Sequence, residues 1–246
     1  MSRVLVIIPA YNEEATIAAV IAKLRQHAPE YDIVVVDDGS SDRTAAIAAG
    51  LQGVRVLQLP YNLGIGGAMQ TGYKYAERAG YDVGVQCDAD GQHPVEQIRA
   101  LVARIEDASG DVVVGSRYVA DSDYHPTFVR RVGKSLLSRW IDLLIGGGIT
   151  DTTSGFRAMN RRAMSVVART YPEDYPEPEA LVILHRHGLK VIEIPVNMHP
   201  RQGGTTSIRP HGAAYYMVKV ALAIFIDLFR HYAPRKDGPA HGSQQR

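Results

Sequence analysis

Short apolar runs alternate with amphipathic stretches from the start of the chain. Val4-Leu-Val-Ile-Ile8 is continuously apolar, as a strand covered on both faces must be. Pro9-Ala-Tyr-Asn-Glu-Glu14 breaks that run and starts a helix. Asn12 is its expected N-cap, with Glu13 and Glu14 complementing the dipole of the first turn. Ile17, Val20, Ile21 and Leu24 recur at helical spacing, which turns one face onto a sheet. Residues 32–37 (DIVVVD) repeat the strand pattern, Gly39-Ser-Ser-Asp42 leads into a small Ala-rich helix, and residues 54–59 form a third strand. A helix follows over 64–80. Val83 and Val85 then alternate between Gly80 and Gly91 as a fourth strand, inside the stretch 81–94, YDVGVQCDADGQHP. Pro94 opens a helix to about residue 108, and residues 111–118 (DVVVGSRY) give a fifth strand. This rhythm predicts an α/β fold, a Rossmann-like, mostly parallel sheet flanked by helices.

The second half is less regular. Residues 128–145 read as a helix with Val132, Leu136, Trp140 and Leu143 on one side and Arg130, Arg131, Lys134 and Arg139 among the rest. It is either a core helix with a solvated basic face or a helix lying against anionic lipid or a lipid phosphate. Residues 151–157 (DTTSGFR) form a loop entering a short strand. Residues 171–178, rich in proline, are irregular ahead of a helix over 179–187, and a strand covers 189–198. A polar glycine loop over 201–209, a closing helix over 213–230 and a disordered tail over 233–246 complete the chain. No linker is evident, so a single domain over about 1–232 is expected, its halves dividing near residue 118.

Composition narrows the picture a little. Charged residues at 22% and the hydrophobic class at 46% are ordinary for a globular protein, and a net charge of +1 gives no reason to expect nucleic acid as a partner. The lone cysteine, Cys87, forms no internal disulfide, consistent with a reducing compartment. No stretch reaches the roughly 20 apolar residues of a membrane helix, and the first strand begins too early for a signal peptide. The expectation is a cytoplasmic protein.

The candidate chemistry lies at strand ends. A dinucleotide fold needs Gly-x-Gly-x-x-Gly in its first turn, but that turn is PAYNEE, and Gly64-Ile-Gly-Gly-Ala-Met69 puts Met where the last glycine belongs. A Walker loop is absent, and an EF-hand fails because His93 and Arg99 stand where Gly and Glu are required. What remains is Tyr11 and Glu13 after the first strand, Asp37 and Asp38 after the second, and Asp88 and Asp90 after the fourth. In a parallel sheet these ends lie side by side. Two carboxylates spaced two apart face one guest, and hard oxygen donors that close call for a cation. Tyr11 could stack on a base, Asp38 could accept from a base N–H, and a cation at Asp88 and Asp90 could hold a diphosphate. His93 is a further metal ligand, a contact for a donor sugar, or a local cap before Pro94.

PAYNEE, VVVDDGSSD, NLGIGGA, DADGQHP, GSR and DTTSGFR, in this order over about residues 4–207, resemble a family 2 glycosyltransferase with the GT-A fold. Within that family they are most similar to the dolichol- or polyprenyl-phosphate sugar synthases. The resemblance implies a nucleotide-sugar half over about 1–118 and an acceptor half over about 119–232. Pro9, Tyr11, Glu13, Val36, Asp38, Gly67, Asp88, Ala89, Asp90 and Arg201 would then hold a UDP- or GDP-sugar. Asp88, Asp90 and Gln92 would hold Mg²⁺ or Mn²⁺. Arg117, with Arg130 or Arg131, would meet the acceptor phosphate, and residues 201–207 would form a lid over the donor phosphates.

The chain departs from that pattern in places. The lid lacks a Lys, leaving Arg201 and Arg209 as its cations, and the C-terminal membrane helices of many relatives are missing. Glu177 and Glu179 stand where many relatives carry an acid before a helix.

The implied reaction is a metal-dependent, inverting single displacement onto a polyprenyl phosphate, which needs no general base. A sugar hydroxyl of a growing polysaccharide is the alternative acceptor, with Asp151 or Glu179 taking the proton. Two other readings are a sugar nucleotidyltransferase, whose Gly-rich basic first turn PAYNEE does not supply, and a non-catalytic nucleotide-sugar binder. Peripheral membrane contact, a small membrane protein docked on the closing helix, and oligomer contacts through Tyr215, Tyr216 and Phe225 are compatible with the pattern.

Overall fold

The computed structural model describes residues 2–118, 148–172 and 176–200. Seven strands form one sheet in the order β3-β2-β1-β4-β6-β5-β7. They are β1 (Val4–Ala10), β2 (Asp32–Asp37), β3 (Val54–Gln58), β4 (Val83–Gln86), β5 (Val112–Ser116), β6 (Arg157–Asn160) and β7 (Val191–Pro195). β1 pairs in parallel with both β2 and β4, β2 with β3, and β5 with β7. β6 is antiparallel to both of its neighbours, β4 and β5. The sheet is thus mostly parallel, with one reversed strand.

Helices cover both faces: α1 (Ile17–His27), α2 (Thr44–Ala49), α3 (Gly64–Arg78), α4 (Ile98–Glu106), α5 (Arg161–Arg169) and α6 (Pro176–Arg186). The continuous apolar run of β1 follows from this two-sided cover. Val4, Val6 and Ile8 join one core with Ile17 and Leu24 of α1 and Ile98 and Leu101 of α4. Leu5 and Ile7 join the other with Met69 and Tyr73 of α3, Met164 of α5 and Leu181 of α6. Each apolar side chain of β1 therefore has a helix to bury it, and the period of two sorts them between the faces, while the edge strands β3 and β7 are only partly covered.

Several local expectations shift. Asn12 is not an N-cap: it takes a left-handed conformation (φ 54°), and α1 begins later, after Thr16, whose side chain makes no capping bond, with no acid in the first turn. The polar groups of PAYNEE go to the neighbouring loop instead. Ser41 N donates to Asn12 Oδ1 at 2.8 Å, Asn12 N to Ser40 Oγ at 2.9 Å and Glu13 N to Thr44 Oγ1 at 2.8 Å. Tertiary partners have won over the local cap.

After Pro94 comes a short 3-10 turn, Val95–Gln97, before α4. The helix expected over 179–187 starts earlier, because Pro176 and Pro178 fit a first turn that has no N–H partners to lose. Helix α5 was not expected. Asn160 caps it by accepting from Ala163 N at 2.9 Å, and Ala163, Met164, Val167 and Ala168 are its buried face. The expected helix over 128–145, the glycine loop, the closing helix and the tail lie outside the described residues.

β1 leads to β2 and β3 on one side, while β4 lies on its other side. The C-terminal ends of β1 and β4 consequently flank a topological switch point, the crevice in which open α/β sheets take their ligands.

Candidate active site

β4 ends at Gln86 and delivers Asp88 and Asp90 into that crevice. Gly91 turns the chain with φ 76°, Gln92 N donates to Asp90 Oδ1 at 3.0 Å, and Asp90 is buried. The Asp88 side chain stays 36% exposed. Gln86 Nε2 donates to Asp88 Oδ1 at 3.3 Å, and the Asp88 N–H donates to His93 Nδ1 at 2.9 Å. His93 Nε2 lies 3.4 Å from Asp88 Oδ2, and the buried ring stacks on Phe156 with centroids 5.1 Å apart.

The donor set suits a small hard cation. Two carboxylates and the Gln92 amide are oxygen ligands, and among the described residues no cluster of three or more His, Cys, Asp or Glu forms a closed cage. Magnesium-type sites of this kind take one or two carboxylates and leave positions for water and substrate phosphates. Room beside Asp88 depends on Gly155, where a Cβ would stand 3.3 Å from Asp88 Oδ2 and 2.8 Å from Gln86 Nε2.

Among the residues expected to meet a nucleoside, Pro9 of β1 and Val36 of β2 are register partners, so both sit at the same level of the sheet. Tyr11 follows on the rim, 48% exposed. Glu13 Oε2 accepts from Thr16 Oγ1 at 2.9 Å. Asp38 is buried, and its Oδ1 accepts from Leu63 N at 2.7 Å, which ties the NLG turn to β2. Burial pushes the Asp38 carboxyl above its ordinary value, against the pull of the Leu63 and Gly64 N–H groups. Gly67 sits in the first turn of α3, where a Cβ would stand 2.5 Å from Leu63 Cβ. Ala89 is buried between the two acids. Asp37, fully buried, has no hydrogen-bond partner at either carboxylate oxygen.

The third group gathers beyond β5. Arg117 Nε donates to Asp151 Oδ2 at 2.6 Å, and Nη2 donates to Asp151 Oδ1 at 2.7 Å and Thr153 Oγ1 at 2.9 Å. Asp151 is itself held from β7, since its N–H donates to Glu193 Oε1 at 2.6 Å and Thr150 Oγ1 donates to Glu193 Oε2 at 2.8 Å. The candidate base thus stands as the partner of the candidate acceptor arginine. Arg157, wholly buried, donates to the carbonyls of Ser154 (2.6 Å), Thr152 (2.9 Å) and Glu177 (2.7 Å). It fastens the DTTSG loop to the start of α6. Burial raises the Glu177 carboxyl, Arg157 pulls it down, and the Asp88 charge pushes it up again. Glu179 lies in the same first turn.

Asp88, Arg117, Asp151 and Glu177 therefore meet one loop, and Asp90 stands two residues from Asp88. Arg130, Arg131 and Arg201 lie outside the described residues. Sequence reasoning passed over Glu193 and the anchoring part of Arg157. The first sits mid-strand with no motif around it, and the second stands at the end of the DTTSGFR loop with nothing nearby in sequence to show what it binds.

The profile of the family described as glycosyl transferase family 2 matches residues 5–167. Over 228 residues the chain is 32% identical to polyprenol monophosphomannose synthase of Mycolicibacterium smegmatis, covering 89% of this chain and 86% of that one. It is 36% identical over 211 residues to the UDP-N-acetylglucosamine–dolichyl-phosphate N-acetylglucosaminyltransferase of Methanococcus voltae, covering 77% of this chain and 83% of that one. Among solved structures, glucosyl-3-phosphoglycerate synthase from Mycobacterium tuberculosis, in complex with Mn²⁺, UDP and glucosyl-3-phosphoglycerate, superposes with a TM-score of 0.70. That match has 21% identity and covers 92% of this chain and 79% of that one, a likeness of fold. The chain belongs to glycosyl transferase family 2 and is a glycosyltransferase with the GT-A fold, similar to polyprenyl- and dolichyl-phosphate sugar synthases.

Proposed function

We infer that this glycosyltransferase moves a sugar from a UDP- or GDP-sugar to a polyprenyl phosphate, with inversion at the anomeric carbon. One observation carries the reading: a single loop, 151–157, touches both halves of such a reaction. Its Gly155 lies against Asp88, and its Asp151 orients Arg117. In this reading Tyr11 stacks on the base and Asp38 accepts from a base N–H, with Pro9, Glu13, Val36, Gly67 and Ala89 lining the same side of the site. Mg²⁺ or Mn²⁺ held by Asp88, Asp90 and Gln92 would act as a Lewis acid on the departing diphosphate.

Arg117 presents a planar guanidinium already aligned by Asp151, suited to a phosphate oxygen. That oxygen is ionised near neutral pH, so orientation of the nucleophile is the contribution asked of the protein. The relatives named for polyprenyl and dolichyl phosphate support this acceptor. Among the described residues no helix is long and apolar enough to cross a membrane. A peripheral association with the membrane that holds the acceptor accords with this.

A second reading, transfer to a sugar hydroxyl, draws on Glu177. Burial pushes its carboxyl above the ordinary value, and the Asp88 charge adds to that shift against the pull of Arg157, so it holds a proton more readily than an exposed glutamate. The two are separated by offering radiolabelled UDP- and GDP-sugars with polyprenyl phosphate or with oligosaccharides, with and without EDTA. Label in a solvent-extractable lipid, lost with EDTA, is the expected result. Label in oligosaccharide alone would favour the second reading, and no transfer from any donor would overturn both.

A further inference from the structure

We propose that His93 is a positioning residue for the cation site, holding Asp88 at two points so that its carboxylate keeps one orientation. This rests on the assignment of Asp88 and Asp90 to a divalent ion. The geometry is specific. Nδ1 accepts the Asp88 N–H at 2.9 Å, so the neutral ring carries its own proton on Nε2. That nitrogen lies 3.4 Å from Asp88 Oδ2, and Gln86 Nε2 approaches Oδ1 at 3.3 Å. Oδ1 thus has a donor in the Gln86 amide, while Oδ2 has the His93 ring edge in polar contact without a hydrogen bond. Outer partners of this type orient a ligating carboxylate and tune its basicity.

Three further facts separate His93 from a simple cap. The ring is 6% exposed, so it contributes no ligand from solvent. It stacks on Phe156, the neighbour of the Gly155 whose backbone borders Asp88, so the imidazole joins the DADGQHP turn to the 151–157 loop. In addition, Gln92 O accepts the His199 N–H at 2.8 Å, which fixes the segment between Asp90 and His93 from outside. The ring is clamped on several sides, and Asp88 inherits its rigidity.

The test is Mn²⁺ binding to the protein alone, followed by electron paramagnetic resonance or calorimetry. His93→Phe keeps the stack on Phe156 and loses both nitrogens. His93→Asn returns an acceptor near the Nδ1 position, and His93→Gln returns a donor near Nε2. With the fold checked by circular dichroism, His93→Phe is expected to weaken Mn²⁺ about tenfold. Asn and Gln should each recover part of that loss. In turnover, the apparent KM for Mn²⁺ should rise more than kcat falls.

A folded His93→Phe that binds Mn²⁺ as tightly as wild type would overturn the proposal while leaving the cation site standing. Failure of the wild type to bind Mn²⁺ would remove the site and the proposal together. Unfolding of all the variants would mark His93 as purely structural and would also overturn it.

Discussion

Asp151 grips Arg117 by two parallel bonds, Nε to Oδ2 at 2.6 Å and Nη2 to Oδ1 at 2.7 Å, and is itself only 1% exposed. A buried carboxylate used this way fixes the plane of the guanidinium and is badly placed to collect a proton from a substrate. The pair therefore argues for orienting Arg117 as the task of Asp151.

Asp151→Asn should then raise KM for polyprenyl phosphate about tenfold or more, the size expected for losing one charge-assisted bond. Hydrolysis of the donor should change much less, and Arg117→Ala should show the same split. Steady-state kinetics with and without acceptor checks both variants. Equal losses in transfer and hydrolysis would count against the acceptor assignment.

Asp90→Ala should abolish transfer while leaving circular dichroism and Tm close to wild type, since Asp90 stands on a turn, where it accepts from Gln92 N, and not in the apolar core. Substantial metal-dependent turnover by this variant would refute the cation assignment.

The Asp38 carboxyl is raised by burial above its ordinary 3.8. The folded state therefore binds this proton more tightly than the unfolded chain does. The corresponding stability is complete below the ordinary carboxylate range and is lost as pH rises through the raised value. Asp38→Asn keeps an oxygen for Leu63 N and removes the charge. Without nucleotide, it should melt higher than wild type near neutral pH, with the gap closing as the solution is acidified. Calorimetry across that range decides, and a gap that widens in acid would contradict the sign.

Arg157→Met should be the most damaging change outside the crevice. It strips the carbonyls of Thr152, Ser154 and Glu177 of their buried donor, at a cost of roughly 3–5 kcal/mol. Lysine should rescue little, because a single ammonium does not reproduce the planar fork that serves all of them. Urea unfolding measures both variants, and a loss under about 1 kcal/mol for Met would show the loop to be held by other means.

The strands and their terminal acids were readable because two-sided burial leaves an unbroken apolar run, and whatever polar residue follows it must lie on the rim. Asp88 and Asp90 behind VGVQ are the example. Side-chain partnerships were not readable. Arg117 and Asp151 are joined by tertiary structure alone, and Asn12 looked like a cap because its distant partner Ser41 left no local trace. Helix α5 did leave one: Asn160 followed by Ala163, Met164, Val167 and Ala168 is a cap and an apolar face, muted by Arg161 and Arg162 between them. The reversal of β6 has no signature in so short a strand.

That reversal has a consequence for how the protein can vary. A forward strand offers the rim the segment that follows it, whereas β6, threaded backwards, offers the segment that precedes it; Arg157 is level with Gln86, and Asn160 with Val83 at the far edge. At that far edge Asn160 passes straight into α5 and its buried face. The crevice instead receives 151–156, in which Asp151 and Thr153 meet Arg117 while Gly155 and Phe156 meet Asp88 and His93. A change of recipient written there is therefore tied to the cation side of the crevice.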